Sequence, residues 1–157
     1  MKFISHRGNL TSKKPERENQ PQYIEEAINE GFDVEIDVWF EPTNTSCKYF
    51  LGHDKPQYEV NVEWLLKHSE FLWCHTKNLE ALLELTYLEL NSFWHQEDDY
   101  TLTTHGFIWT YPNKKIIQYS YQQIILLFDW TNDDVDIPHG GICSDEIMLY
   151  RNKYQNQ

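Results

Sequence analysis

The chain is short of positive charge. Thirteen Lys and Arg stand against 25 Asp and Glu, a formal net charge of −12 over 157 residues. Nucleic acid and anionic membrane surfaces each want a broad basic face, so neither is an expected partner. An anionic ligand would have to be small and met by a few chosen cations or by a metal. Cysteine is scarce as well. Cys47, Cys74 and Cys143 are odd in number and follow no framework spacing, which fits reduced thiols better than disulfides. No apolar run approaches the roughly 20 residues of a membrane-spanning helix, so membrane insertion is not expected. The opening "MKFISHRGN" turns polar within a few residues and carries no signal pattern, and a cytoplasmic location is the expectation. Repeats, low-complexity blocks and interdomain linkers are absent from the sequence. The length fits one domain over residues 1–150, followed by a polar tail over 151–157.

What is present is a dense supply of aromatics, 15% of the chain with six Trp and ten Tyr, and an alternation of strands with short helices. "KFIS" reads as a strand running into "HRGN". "PQYIEEAINEG" reads as a helix, with Pro21 in its first turn, Ile24, Ala27 and Ile28 on one face, and Gly31 as its stop. "FDVEIDVW" and "CKYFLGHD" are strands joined by "EPTNTS", a link too short for a helical crossover, hence a hairpin. "NVEWLLKHS" is a helix capped by Asn61, "FLWCHTK" a strand, and "NLEALLELTYLE" a Leu-rich helix. Leu79, Leu82 and Leu83 share one of its faces, with Leu85 and Leu88 on the far side, so burial on more than one side is expected. "SFWHQ", "GFIWTYP", "QIILLF" and "GICSD" are the remaining strands, "PHGG" is a turn, and the tail "RNKYQNQ" is expected to fray. The order implies an α/β fold with a largely parallel sheet.

In such sheets polar functional residues gather at the C-terminal ends of strands. His6, Glu35, Asp37, His75, Lys77, His95 and Asp145 all fall at or near such ends. Glu35 and Asp37 are two apart, so both leave the same face of a strand, and a divalent cation is the cheapest remedy for their repulsion. From that pair alone a solvated strand face is the favoured reading, and apolar Val34, Ile36 and Val38 at the opposite parity fit both readings. His6 can pass protons and Arg7 can hold two phosphate oxygens, although a surface pair after a strand would look the same. An antiparallel hairpin would fold His53 back beside the two carboxylates, offering a second histidine for acid–base work.

Taken in order, "HRG", "EN", "GFDVEIDV", "GHD", "HTK", "IWTYP" and "GICSD" resemble the glycerophosphodiester phosphodiesterase family, relatives of the phosphatidylinositol-specific phospholipase C barrels, from residue 4 to residue 145. The resemblance implies a TIM-type barrel that hydrolyses phosphodiesters with a bound divalent metal ion, Mg²⁺ or Ca²⁺. It implies His6 and His53 as the acid–base pair, Arg7 and Lys77 as phosphate contacts, and Glu35 and Asp37 as metal ligands. His95 and Trp109 are further pocket candidates, whereas Asp98, Asp99 and His105 read as a polar loop. Cys74 and Cys143 read as small buried fillers.

Two departures stand out. The family's third carboxylate ligand is His75 here, a softer nitrogen donor that turns the site toward Mn²⁺ or Zn²⁺ or weakens it. The chain also falls short of the roughly 200 to 250 residues of an ordinary (β/α)₈ barrel, so a trimmed barrel with fewer than eight wall strands is expected, the hairpin lying outside the wall. The expected activity is phosphodiester hydrolysis on a small-molecule substrate. The alternatives are a barrel that binds a phosphorylated ligand with little or no turnover, or a lyase that releases a cyclic phosphate.

Overall fold

From its first strand, β1 (Lys2–His6), the chain passes through a polar loop into α1 (Pro21–Asn29) and the long strand β2 (Asp33–Pro42). There follow β3 (Cys47–Leu51), β4 (Tyr58–Val60), α2 (Val62–Lys67), β5 (Leu72–Thr76), α3 (Leu79–Tyr87) and β6 (Ser92–Trp94). Then come β7 (Tyr100–Leu102), β8 (Ile108–Thr110), β9 (Gln123–Leu127), β10 (Gly141–Ser144) and α4 (Ile147–Tyr154). This computed structural model describes residues 1–42, 47–117, 120–129 and 137–155. The tip of the expected "EPTNTS" turn, 43–46, lies outside the described residues.

Among the described residues the fold is mixed α/β, with ten strands in one sheet and four helices. Seven strands run parallel in the order β6-β5-β2-β1-β10-β9-β8. The hairpin is antiparallel and pairs only with the far half of β2, Val38–Pro42, so it stands outside that run. β7 pairs antiparallel with β8. Beyond it, Thr104 N–H donates to the Ser92 carbonyl and the Thr101 hydroxyl to the Trp94 carbonyl, so the β7 segment bridges the two ends of the run.

Strand parity then sorts the side chains into two layers. Ile4, Trp73, Phe93, Trp109, Ile124, Leu126 and Cys143 form one cluster on the enclosed face, with the Phe93 and Trp109 rings stacked at 4.6 Å. Val34, Ile36, Val38, Leu72 and Cys74, at the opposite parity, pack outward with Ile24, Ala27, Leu65, Ala81 and Leu85 of the helices. Burying each large side chain contributes roughly 1.5–3 kcal/mol.

Asn61 and Asn78 cap α2 and α3 by accepting from the Trp64 and Ala81 N–H groups. Three expectations need correction. On α3 the buried side is Ala81 and Leu85, while Leu79 and Leu83 face solvent, because this helix lies over one side of the sheet only. The short strands β4 and β7 carry no sequence signal of their own and form by pairing with a neighbour. The tail is helical through Tyr154: Ile147 and Tyr150 are buried, and the Arg151 guanidinium lies over the Phe32 ring and donates to the Glu30 carbonyl. No helix among the described residues is long and apolar enough to cross a membrane.

Candidate functional site

The C-terminal ends of the parallel strands open into a cleft of about 480 Å³ lined by His6, Arg7, Lys13, Glu35, His53, His75, Lys77, His95 and Trp109, among others. Asp37 lies beneath it, fully buried. His6, Arg7, Glu35, His53, His75, Lys77, His95 and Trp109 therefore share this cleft, with Asp37 buried against it.

The turn after β1 sets the first group. Arg7 adopts φ 56°, a left-handed conformation costing about 1–2 kcal/mol in a non-glycine residue, and its N–H is held by the Glu35 carbonyl. Its side chain reaches Asp37, Nε to Oδ2 at 2.8 Å, and Glu18, 3.2 Å from the terminal nitrogen. Burial opposes the Arg7 charge, but Asp37, Glu35 and Glu18 outweigh it and raise its pKa, so the guanidinium stays protonated. Asn19, also left-handed at φ 63°, donates to Asp37 Oδ2 and accepts from the Asp37 N–H, both at 2.9 Å.

The two histidines expected to act together each rest Nδ1 on an aspartate. His6, nearly buried, lies 2.8 Å from Asp145 Oδ1, which also accepts from Asn9 at 2.7 Å. Its other nitrogen points toward Glu35 at 3.8 Å, beyond hydrogen-bonding range. Burial alone would raise the Asp145 pKa, but the hydrogen bonds from His6 and Asn9 bring it below the ordinary carboxylate value. His53 arrives as expected from the hairpin, since Gly52 N–H donates to the Asp37 carbonyl and the next residue reaches the cleft. Its Nδ1 lies 2.6 Å from Asp54, and its side chain is 45% exposed. Burial, then the nearby Arg7, lowers the His53 pKa and favours the neutral ring.

Glu35, Asp37 and His75 place one ligand atom each within 4.8 Å of one another. His75 Nε2 lies 2.9 Å from the His95 carbonyl, which can only accept, so Nε2 carries a proton. Nδ1 then faces Asp37 Oδ1 at 3.2 Å and Glu35 Oε1 at 3.7 Å. An imidazolium would satisfy this geometry. A neutral ring would set a lone pair against two carboxylates, an arrangement a cation resolves. The ring is also stacked on Phe93, 5.2 Å between centroids. Burial opposes the Asp37 charge, but the His75 contact, Arg7 and Lys77 hold its pKa well below the usual range. Burial and the neighbouring Asp37 push Glu35 the other way. Glu35 Oε2 and Asp37 Oδ1 are buried without a hydrogen-bond donor among the described residues, and Lys77 Nζ stands 3.4 Å from the latter.

The chain matches no family model, no curated protein and no solved structure. The site is therefore read from its own chemistry.

The remaining candidates separate cleanly. His95 lines the cleft wall and Trp109 its floor, the latter only 2% exposed and chiefly a core ring. Asp99 pairs with Lys114, and His105 Nε2 meets the Glu89 carbonyl on the surface, as a polar loop would. Cys74 and Cys143 are buried, and burial raises both thiols. Sequence reasoning missed Asn9, used Glu18 and Asn19 only as the "EN" motif, and placed Asp145 at a strand end without a role. The available signal was the "EN" pair in the loop and Asp145 at the end of a strand, polar groups in places that become buried.

Proposed function

We propose that the chain is a metal-assisted hydrolase of small phosphodiesters, akin to the glycerophosphodiester phosphodiesterases it resembles, on a trimmed (β/α) barrel. The observation that carries this reading is one cleft holding two Asp-backed histidines around a buried carboxylate–carboxylate–imidazole group.

The donor set fits a divalent cation. Among the described residues two buried carboxylate oxygens lack hydrogen-bond donors, and the His75 tautomer set by the His95 carbonyl leaves Nδ1 toward them. Glu35, Asp37 and His75 would hold the ion, which when bound supplies positive charge to the phosphate and acidifies a hydroxyl or water. The imidazole donor turns the preference from Ca²⁺ toward Mn²⁺ or Zn²⁺.

The chain's own residues do the rest. Arg7 and Lys77 meet phosphate oxygens from the side of Asp37. His53, favoured neutral, takes the nucleophile's proton at Nε2. His6 donates a proton from Nε2 to the departing oxygen, and Asp145 steadies the positive ring in that state. A hydroxyl of the substrate itself as nucleophile would give a cyclic phosphate in place of hydrolysis.

A second reading rests on a specific contact. Asp37 already meets Arg7, His75 and Lys77, a balance of charge that would suit a phosphate-binding protein without turnover. A panel of phosphodiesters with Mg²⁺, Ca²⁺, Mn²⁺ and Zn²⁺, followed by product analysis, separates the readings. His6→Ala and His53→Ala should each lower turnover about 10²- to 10⁴-fold while circular dichroism stays native. Near-normal rates in either folded variant remove that histidine from the mechanism, and no turnover in the wild type leaves the binding reading.

A further inference from the structure

The two sides of the cleft differ in kind. Arg7, Lys13, His53 and Lys77 lie on one side, where a polar recess is lined by Lys13, Glu18, Asp54 and Gln57, with His53 the one aromatic ring among the described residues there. The opposite rim is a continuous arc of rings. His75 and His95 are 6.1 Å apart, His95 and Tyr111 5.3 Å, Tyr111 and Phe128 6.0 Å, and Phe128 and His6 6.0 Å. Successive members are tilted or edge-to-face, at 42° to 79°, so the arc presents alternating ring faces and edges to whatever sits beside it. Tyr111 is 39% and Phe128 40% exposed, a large apolar surface left open beside a polar centre. Trp94 and Leu126 extend the apolar lining. Glu35 is the single acid among the described residues lining the cleft, so the rim offers no carboxylate of its own to a cationic group.

We propose that this arc is the subsite for a flat ring, and that the substrate is a phosphodiester whose His6-side alcohol carries an aryl or heteroaryl group. The proposal rests on the phosphodiester reading of the cleft and names the class of its substrate. A planar ring can meet the Tyr111 and Phe128 rings in the offset and edge-to-face arrangements that aromatic pairs favour, a gain that area burial alone does not give. The same gain converts to about two- to tenfold in affinity. With the phosphate against Arg7 and Lys77, the ring on the His6 side leaves the second alcohol facing the polar recess, where hydroxyls find partners.

The test uses binding, so it does not depend on turnover. Methyl, phenyl and n-hexyl phosphate and phosphocholine are titrated into the full chain with Mn²⁺ by calorimetry. Phenyl phosphate should bind best, by about two- to tenfold over hexyl phosphate and more over methyl phosphate. The phenyl-to-methyl ratio should fall toward one in Tyr111→Ala and in Phe128→Leu, and Tyr111→Phe should keep it. Both rings are partly exposed, and the wild-type series alone decides the matter where a variant fails to fold. Equal affinities, no binding of either ester, or a preference for the hexyl or choline ester overturns the proposal. Hydrolysis of a diester panel is measured in parallel. Turnover without a ring preference sinks the subsite alone, and a ring preference without turnover sinks the hydrolase reading alone.

Discussion

Asp145→Asn is the sharpest probe of the site, because it alters one charge and almost no volume. In the wild type, Asp145 Oδ1 receives the His6 ring at 2.8 Å and the Asn9 amide at 2.7 Å, with both side chains buried. The carboxylate therefore fixes Nδ1 as the protonated nitrogen of neutral His6 and leaves Nε2 to face the cleft. It also stabilises the positive charge His6 would carry as an acid. With charge centres about 4 Å apart and an effective dielectric of 20, that attraction is about 4 kcal/mol. Its loss corresponds to roughly 10³-fold in rate, within the range of general acid–base catalysis.

The assay is initial-rate hydrolysis of an aryl phosphodiester against pH, paired with nitrogen NMR of the His6 ring. A drop of about 10³-fold with a changed Nδ1 and Nε2 pattern is expected in a folded variant. Denaturation against pH gives an independent readout. The Asp145 pKa is depressed in the folded state, so its contribution to stability is present above the unfolded value of about 3.9 and fades as pH falls through the folded value. The stability gap between wild type and variant should accordingly narrow in acid. A rate within about threefold of wild type, with the ring pattern unchanged, would refute the role given to the Asp145–His6 pair.

Three further outcomes check other parts of the structure. Leu85→Ala should cost about 2–5 kcal/mol by chemical denaturation and Leu83→Ala less than about 0.5, because only Leu85 is in the core; the reverse order would put the α3 face the other way round. Asn78→Ala should cost more than the roughly 1 kcal/mol of an ordinary cap, since its amide also joins the Phe40 N–H and carbonyl of β2; a loss below that figure would leave the tether without weight. His75→Glu should tighten Ca²⁺ binding relative to Mn²⁺, because it replaces a nitrogen donor with an oxygen donor; identical calorimetry in the two proteins would leave His75 outside any metal site.

The enclosed and outward faces of the sheet were legible because alternation in a strand is a local rule. Glu35 and Asp37 on one face, Val34, Ile36 and Val38 on the other, and the Asn61 cap all follow from spacing of a few residues. Helix α3 was expected to be buried on more than one side where the structure buries one side, and the reason is physical. Its Leu residues occur nearly all round the helix, so periodicity could not choose among them, and only the position of β2, β5 and β6 decides which are covered. The C-terminal helix escaped notice because "RNKY" looks polar. Arg151 earns its place by packing flat on Phe32, a residue far away in sequence.

The site divides along the same line. Its chemical groups could be named in advance, since histidine, arginine and carboxylate at strand ends have few structural uses. Their holders could not, because each joins distant parts of the chain. Asn9 bonds Asp145 across 136 positions, and Asn19 brackets Asp37 across 18. These amides are buried, and a buried amide costs free energy unless its donors and acceptors are met. Here they are met by the very carboxylates that bear on Arg7 and His6. The loop after β1 is thus held to the cleft by the same hydrogen bonds that orient its ionisable groups. A change to Asn9 or Asn19 would therefore register in stability and in the alignment of His6 or Asp37 at once, and the two effects share one physical cause.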